Sequence, residues 1–301
     1  MRAVSVLGFL VLTALLAAGC ETESSLQPSS GDGDADGDTD GDADGDGDGD
    51  ADGDGDADAD TDTFCDEQSF GIEHVPARLM ILLDNSGSMD SGGLFGPTKW
   101  EQARTALVGL LDSFGETGAI WFGFDVFPDF ECAGFCCDVS HPVVADCAPD
   151  AEEDLVELIS SAAAFPGEFD TPLCDGMDRF NDPAYAPAFS GPGGPRYLVV
   201  VSDGQEECNG AGYSEICGSA PEYAGAVAIV EELLAGGVRT FVIGFGGGVD
   251  PVQLDAIAAS GGTEFGEYFL ASDQAELEAA FSTIAEAVVS CEYTIEEPDA
   301  S

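Results

Sequence analysis

The stretch RLMILLDNSGSMD, residues 78–90, decides the fold, because an apolar run passes there directly into a short polar loop. The run 78–83 has the composition of a buried strand, and Asp84, Ser86 and Ser88 follow it at alternate positions. Gly87 lets the backbone turn tightly between the two serines. Open α/β sheets bind ligands outside the carboxyl ends of their strands, so this pattern predicts a ligand site at that edge.

Four further runs rich in apolar, β-branched and aromatic residues predict strands at 119–127, 196–201, 239–245 and 267–270. Apolar side chains recur between them at helical spacing in the segments 100–114, 155–162, 226–234, 252–259 and 277–288. Thr98 and Glu101 form a capping box before the first of these helices. This alternation predicts an α/β fold with a doubly wound, mostly parallel sheet flanked by helices. We also expect an antiparallel edge strand near 142–145.

A second polar loop, Ser202-Asp203-Gly204, follows the predicted strand at 196–201. The carboxyl ends of parallel strands lie at the same edge of a sheet, so Asp203 is expected close to the first loop. Together the two loops supply carboxylate and hydroxyl oxygens, which are hard ligands. Such a set suits Mg²⁺, Mn²⁺ or Ca²⁺ rather than zinc.

At these positions the sequence resembles a von Willebrand factor type A domain, over about residues 76–291. The D-x-S-x-S motif of that family's metal-ion-dependent adhesion site is matched by Asp84, Ser86 and Ser88. The family's threonine is matched by Thr171, and its last aspartate by Asp203. Asp170 stands where the family commonly has glycine, and an extra carboxylate there would favour Ca²⁺ or a water-mediated ligand. Segments 242–246 and 257–263 share the resemblance.

The resemblance implies a Rossmann-like fold and a bound Mg²⁺, or Mn²⁺ or Ca²⁺ in its place. In that family the hydroxyls bind the cation, the aspartates act directly or through water, and one coordination position stays open. An Asp or Glu carboxylate of a protein partner fills that position. The resemblance therefore implies a binding protein rather than an enzyme.

Two other classes of function stay open from the sequence. A structural surface module would share the fold without using the metal site to capture a ligand. A metal-dependent hydrolase would need a positioned general base, and no histidine or spare carboxylate is identifiable as one.

The charge of the chain excludes nucleic-acid binding, because phosphate neutralisation requires clustered Lys and Arg. Sixty acidic residues face seven basic ones, for a formal net charge of −53. Residues 63–301 alone carry −36. Such a surface repels acidic partners over roughly 8–10 Å at physiological ionic strength, so a partner is expected to carry a basic surround, or the medium to be salty. The acidity is equally consistent with a solubility adaptation.

The N-terminus is expected to be an export signal, because Arg2 precedes a short apolar run, 4–18, that ends in small residues. The segment 17–20 resembles a bacterial lipoprotein signal, with Ala17 where Leu is usual. We therefore expect residues 1–19 to be removed, and acylated Cys20 to anchor the exported chain to a bacterial membrane, at the outer membrane or cell surface. An ordinary signal peptide and a transmembrane anchor are the alternatives.

Residues 20–64 are expected to form a disordered acidic linker after the acylated cysteine. Within 31–62 an Asp occupies every even position, separated by Gly, Ala and Thr. These like charges repel, and the segment has no side chain large enough for a core. Fully stretched, it would reach on the order of 100 Å. Calcium binding is the alternative, but the one frame that ends in Glu, 56–67, has Thr61 where Gly is required.

Nine cysteines remain besides Cys20, and an exported chain favours disulfides. Cys65 and Cys291 flank the predicted domain, 65–295, and a bridge between them would join its ends before the tail, 296–301. Cys208 and Cys217 lie in one loop after Asp203, and a bridge between them would close it. Cys174 is the alternative partner of Cys208, and spacing alone does not decide between the two pairings. Spacing leaves the connectivity open for Cys132, Cys136, Cys137 and Cys147. A zinc site at the first three of these is the alternative.

Several other features are interpreted as structural. His74 and His141 lie near prolines in predicted loops, without a nucleophile partner visible in the sequence. The glycines of 244–248 fail the spacing of a dinucleotide fingerprint. Glu pairs at 152–153 and 231–232 are expected on solvated helix faces, and Trp121 in the core.

Overall fold

The computed structural model describes residues 72–92, 96–129, 139–161, 170–191, 193–206, 216–217, 223–289 and 293–295. The predicted signal segment, the linker and Cys20 lie outside these residues. The same is true of six further cysteines: Cys65, Cys132, Cys136, Cys137, Cys208 and Cys291. A bridge between Cys65 and Cys291 therefore stays a prediction, as does the zinc alternative. Among the described helices, none has both the length and the hydropathy needed to cross a membrane.

The described strands form two sheets. The short strands β1, Ile72–His74, and β7, Tyr293–Ile295, pair antiparallel with each other. The five remaining strands form one all-parallel sheet in the order β3-β2-β4-β5-β6. They are β2, Ala77–Asp84; β3, Ile120–Phe127; β4, Arg196–Ser202; β5, Val238–Phe245; and β6, Phe269–Ala271. Each overlaps a predicted strand, so the predicted parallel α/β sheet is confirmed.

Six α-helices whose two ends both lie within the described residues cover the large sheet. They are α1, Lys99–Phe114; α2, Glu152–Ser161; α3, Leu173–Asp178; α4, Ala224–Ala235; α5, Pro251–Ser260; and α6, Gln274–Val288. Leu79, Ile81 and Leu83 of β2 face one core, which they share with α1, α2 and α6. Met80 and Leu82 face the opposite core, with α3, α4 and α5. Because helices cover both faces, the strands are continuously apolar and the sheet is doubly wound.

Side chains next to the helix ends satisfy backbone groups that the helices leave unpaired. The predicted capping box is present, since the Glu101 amide donates to the Thr98 hydroxyl and the Thr98 amide donates to the Glu101 carboxylate. Asp250 accepts hydrogen bonds from the first turn of α5, and Asp273 accepts one from Glu276 in α6. Helix α3 was not predicted, because its six residues, LCDGMD, are too few to show helical periodicity.

Two sequence expectations require correction at the β3 edge of the sheet. The expected antiparallel strand near 142–145 is reduced to a single bridge, in which Phe124 and Ala145 exchange two backbone hydrogen bonds. Trp121 is half-buried rather than fully buried, because β3 is an edge strand and its ring packs beside Gly191. The fully buried tryptophan is Trp100 of α1.

The capping box predicts a local contribution to stability. We expect Thr98→Ala to lower the free energy of unfolding by about 1 kcal/mol, because the first turn of α1 loses its side-chain acceptor. Urea unfolding followed by circular dichroism measures this. Thr105→Ala is the matched control on the exposed side of the same helix and is expected to change stability by less than about 0.5 kcal/mol. Equal losses in both variants would contradict the assignment.

Candidate metal centre

The polar loops meet where the connections of the sheet diverge. From β2 the chain crosses to β3 on one side, whereas from β4 it continues to β5 on the other. A topological switch point therefore lies between the carboxyl ends of β2 and β4, where open α/β sheets place their ligand crevice. The first loop, 84–88, and the third loop, 202–206, leave the sheet at this point. The second loop, 170–173, comes in between them along the chain.

Asp84 occupies the end of β2 and is fully buried. One carboxylate oxygen accepts a hydrogen bond from the Ser86 amide at 2.8 Å, and the other accepts one from the Ser202 hydroxyl at 2.7 Å. Burial, together with the nearby charge of Asp203, raises the pKa of Asp84 to about 7. Both causes penalise the negative charge of Asp84, and a bound cation would offset both.

The serines and Asp203 form a continuous chain of polar contacts. The hydroxyl oxygens of Ser86 and Ser88 lie 2.9 Å apart, and the Ser88 hydroxyl donates to Asp203 Oδ1 at 2.5 Å. Ser86 and Asp203 are buried, whereas Ser88 is exposed. The cluster of oxygens therefore reaches solvent on the Ser88 side.

Thr171 completes the set from the second loop. Its buried side chain lies against Gly204, the residue after Asp203, where an added Cβ would come within 3.1 Å of the Thr171 hydroxyl oxygen. All five residues singled out in the sequence, Asp84, Ser86, Ser88, Thr171 and Asp203, therefore belong to loops at one edge of the sheet. Asp170, beside Thr171, is half-buried.

The donor set suits a hard divalent cation, since it consists of carboxylate and hydroxyl oxygens. Within the described ranges, no three or more His, Cys, Asp and Glu side chains are grouped so that they could hold a metal. A metal at this edge of the sheet therefore depends on the three hydroxyls as much as on the two carboxylates.

Lys99, the first residue of α1, also reaches the site, although no motif in the sequence marks it. Its ammonium group lies 2.6 Å from Asp203 Oδ2, and its side chain is 20% exposed. The aliphatic part of the side chain passes over Gly246, where an added Cβ would come within 2.9 Å of Lys99 Cε. The available signal was composition, because Lys99 is the only lysine in the chain.

Two contacts join the start of α3 to residues that follow β4. The Glu206 carboxylate accepts a hydrogen bond from the Cys174 amide at 2.6 Å, at the start of α3. Cys174 also forms a disulfide with Cys217, and their Cα atoms are 5.8 Å apart. The predicted pairings of Cys208 with Cys217 and with Cys174 are both wrong. Helix α3, which was not predicted from the sequence, brings Cys174 to Cys217. Because these two sulfurs bond to each other, neither is available to Cys208.

Cys147 is the free thiol among the described cysteines, and it is buried. Burial raises the pKa of the Cys147 thiol, so this group stays neutral and unreactive at ordinary pH. Its place in the core beside Met80 and Gly123 is structural.

A second group of polar side chains surrounds Asp125, which is buried in β3. Asp125 of β3 pairs with Arg179 at 3.0 Å and with His141 at 3.1 Å, and Arg179 also donates to the His141 backbone oxygen. Tyr185 covers the guanidinium, whose central carbon lies 4.7 Å from the ring centroid. His141 is therefore a structural residue, as expected. The side chain of His74 lies outside the described part of the structure.

No family model matches the sequence, and no curated protein matches it. Solved structures do share its fold. Proximal thread matrix protein 1 from the mussel byssus, with a zinc-occupied MIDAS motif, aligns with a TM-score of 0.50 and 18% identity. The alignment covers 73% of this chain and 50% of that one.

Two bacterial proteins align with similar scores. The pilus adhesin SpaC from Lactobacillus rhamnosus GG gives a TM-score of 0.52 at 14% identity, over 71% of this chain and 30% of that one. The PilB minor pilin from Streptococcus sanguinis gives a TM-score of 0.52 at 16% identity, over 72% of this chain and 62% of that one. The chain thus spans less than two thirds of each of these proteins. The likeness establishes the fold alone, a doubly wound α/β domain.

The disulfide between Cys174 and Cys217 predicts a large effect on stability, because it closes a separation of 43 residues. We expect Cys217→Ala to lower the free energy of unfolding by about 3–4 kcal/mol. Urea unfolding measures this, with Cys174→Ala and the double variant as controls. All three are expected to lose similar amounts, since one bond is lost in each case. Additive losses, or a proteolytic fragment that links Cys208 to Cys217, would contradict the connectivity.

Proposed function

We propose that this chain is a surface-presented, metal-dependent binding protein of the adhesion type. In this proposal a divalent cation is held by Asp84, Ser86, Ser88, Thr171 and Asp203 and coordinates a carboxylate of a protein partner. One observation carries the proposal: two buried carboxylates and three hydroxyls come from three separate loops to the switch point between β2 and β4.

The chemistry of the donors supports Mg²⁺, Mn²⁺ or Ca²⁺ as the native cation. The hydroxyls of Ser86, Ser88 and Thr171 would bind it as neutral ligands. Asp84 and Asp203 would supply the two negative charges that balance it. Asp84 is already oriented by hydrogen bonds to both of its oxygens, so it would lose little side-chain entropy on binding.

A third carboxylate, from the partner, would approach from the solvent-exposed side of Ser88. A cation that is balanced by only two protein carboxylates and otherwise bound to neutral oxygens stays electrophilic enough to attract it. Protein–protein recognition through such a site is consistent with the names of two structural neighbours, a pilus adhesin and a minor pilin.

The proposed presentation follows from the sequence. Acylated Cys20 would anchor the exported chain to a bacterial membrane, at the outer membrane or cell surface, and the linker over 20–64 would hold the domain away from it. Repulsion along the alternating aspartates extends such a linker. The binding site would then reach partners on a neighbouring surface.

A structural surface module is the second candidate, and the neighbour from the mussel byssus, a thread matrix protein, favours it. Catalysis has weaker support. The three structural neighbours are named as adhesion or structural proteins, and His141 is committed to Asp125 and Arg179 rather than to the candidate metal site.

The proposal predicts saturable stabilisation by the cation. For the chain from residue 21 onward, free Mn²⁺ at about 100 times its dissociation constant is expected to raise the free energy of unfolding by about 3 kcal/mol. Thermal unfolding with Mn²⁺, Mg²⁺ and Ca²⁺ measures the shift. Ser86→Ala is expected to abolish it, because a direct ligand is lost.

Ser91→Ala is the matched control, since Ser91 follows the same loop without contributing to the donor set. It is expected to respond like the wild type. The aspartate-rich linker is present in all variants, so weak condensation of cations on it cancels in the comparison. A shift that survives in Ser86→Ala would refute the assigned site.

The open coordination position predicts that a simple carboxylate binds only to the metal-loaded protein. With Mn²⁺ bound, the methyl protons of acetate are expected to relax faster, because acetate would bind next to a paramagnetic ion. The transverse relaxation rate in a proton NMR titration measures this. The difference in relaxation rate between the wild type and Ser86→Ala gives the contribution of the site, because the linker contributes equally in both proteins. Equal relaxation in both proteins would favour the structural module.

A further inference from the structure

We propose that Lys99 sets the balance between metal affinity and carboxylate capture at the site. This inference rests on the proposed function and deepens it. Lys99 would weaken binding of the cation, but strengthen binding of the partner's carboxylate to the metal-loaded site. It would thus be a specificity-determining residue contributed by α1 rather than by the three loops.

The first support is the way Asp203 is engaged. One oxygen of its carboxylate accepts a hydrogen bond from the Ser88 hydroxyl at 2.5 Å, and the other lies 2.6 Å from the Lys99 ammonium group. Asp203 is buried and Lys99 is mostly buried, so water screens this pair only weakly. Much of the negative charge of Asp203 is therefore already compensated inside the protein.

The second support is that the position of Lys99 opposes the preference of the helix. A cation is unfavourable in the first turn of a helix, where the helix dipole presents positive charge. Lys99 is nevertheless the first residue of α1, directly after the Thr98 cap. Its backbone amide donates to the Ser91 carbonyl oxygen at 3.1 Å, which fixes the start of the helix beside the first loop.

The third support is the space reserved for the side chain. Gly246, at the end of β5, adopts a φ of +87°, and a Cβ there would come within 2.9 Å of Lys99 Cε and 3.2 Å of Nζ. Lys99 is also the only lysine in a chain of net charge −53. The one ammonium side chain of this acidic protein thus lies on a carboxylate of the candidate metal centre.

The positive charge of Lys99 would have opposite effects on the cation and on the partner's carboxylate. With Asp203 paired to Lys99, a divalent cation would face one uncompensated carboxylate, that of Asp84, and the site would keep a net positive charge. That charge repels the cation, but attracts a third carboxylate. The same charge would let an acidic partner bind although the domain as a whole is acidic. At contact distance, attraction to a local positive charge exceeds the screened repulsion from distant negative charges.

Lys99→Met tests this, since it keeps the length of the side chain and removes its charge. Mn²⁺ affinity is measured by calorimetric titration of the chain from residue 21, and acetate affinity of the Mn²⁺-saturated protein by proton relaxation. We expect Mn²⁺ to bind roughly tenfold tighter and acetate roughly tenfold weaker. Lys99→Arg keeps the charge, and its Mn²⁺ and acetate affinities are expected to stay closer to those of the wild type than to those of Lys99→Met.

Arg104→Met is the matched control, because it removes one positive charge from the same helix away from the site. It is expected to change both affinities less than about twofold, since long-range charge effects are screened. Weakening of both affinities in Lys99→Met would indicate a merely structural role and overturn the proposal, as would no change in either.

A direct signal from Lys99 provides a second readout. Reductive methylation with ¹³C-formaldehyde keeps the charge and labels one lysine side chain, because the chain has no other. We expect its ¹³C resonance to shift on addition of Mg²⁺ in the wild type and to stay unchanged in Ser86→Ala. An identical response in both proteins would overturn the contact between Lys99 and the metal centre.

The two proposals fail in different ways. Wild-type protein that binds Mn²⁺ through Ser86 but not acetate would refute carboxylate capture as the function. In that case tighter Mn²⁺ binding by Lys99→Met would still support the repulsion between Lys99 and the cation, and unchanged Mn²⁺ binding would refute it.

Discussion

The structure of the site depends on the burial of one carboxylate, Asp84, at the end of the central strand β2. A buried carboxylate is costly unless hydrogen bonds or a cation compensate it. The Ser86 amide and the Ser202 hydroxyl provide part of the compensation and, in doing so, tie the first loop to the third. Burial and the nearby charge of Asp203 still raise the pKa of Asp84. A divalent cation at this point would offset both effects.

The remainder of the fold holds these loops in place. Two apolar cores fix β2 and β4 side by side, because helices cover both faces of the sheet. The carboxylate of Glu206 holds α3, and with it the second loop, against the third, and the disulfide to Cys217 fixes α3 further. Lys99 adds a contact from α1 to Asp203. Every loop of the candidate site is thereby attached to a rigid element, which favours a preformed site.

Local patterns in the sequence predicted most of the fold. The continuous apolar runs gave all five strands of the large sheet, and Thr98 with Glu101 marked the start of α1, because these signals depend only on neighbouring residues. Sequence order and the switch-point rule were enough to bring Asp84 and Asp203 together. Asp84, Ser86, Ser88 and Asp203 could therefore be chosen from these patterns, whereas Thr171 was chosen from the resemblance to the family motif.

The rest depended on contacts between distant residues. Lys99 and Asp203 are 104 positions apart, and no local pattern relates them. The disulfide was mispredicted because proximity along the chain favoured Cys208, whereas the unpredicted helix α3 places Cys174 at Cys217. Trp121 was likewise expected in the core, but the position of β3 at the edge of the sheet leaves its ring half-buried.

The central claim is that a divalent cation occupies the switch point between β2 and β4. An anomalous difference map from crystals soaked in Mn²⁺ tests it most directly. We expect a peak about 2.0–2.4 Å from the hydroxyl oxygens of Ser86 and Ser88, the distance range of such cations to oxygen ligands. Peaks confined to acidic surface carboxylates, with none between these three loops, would contradict it.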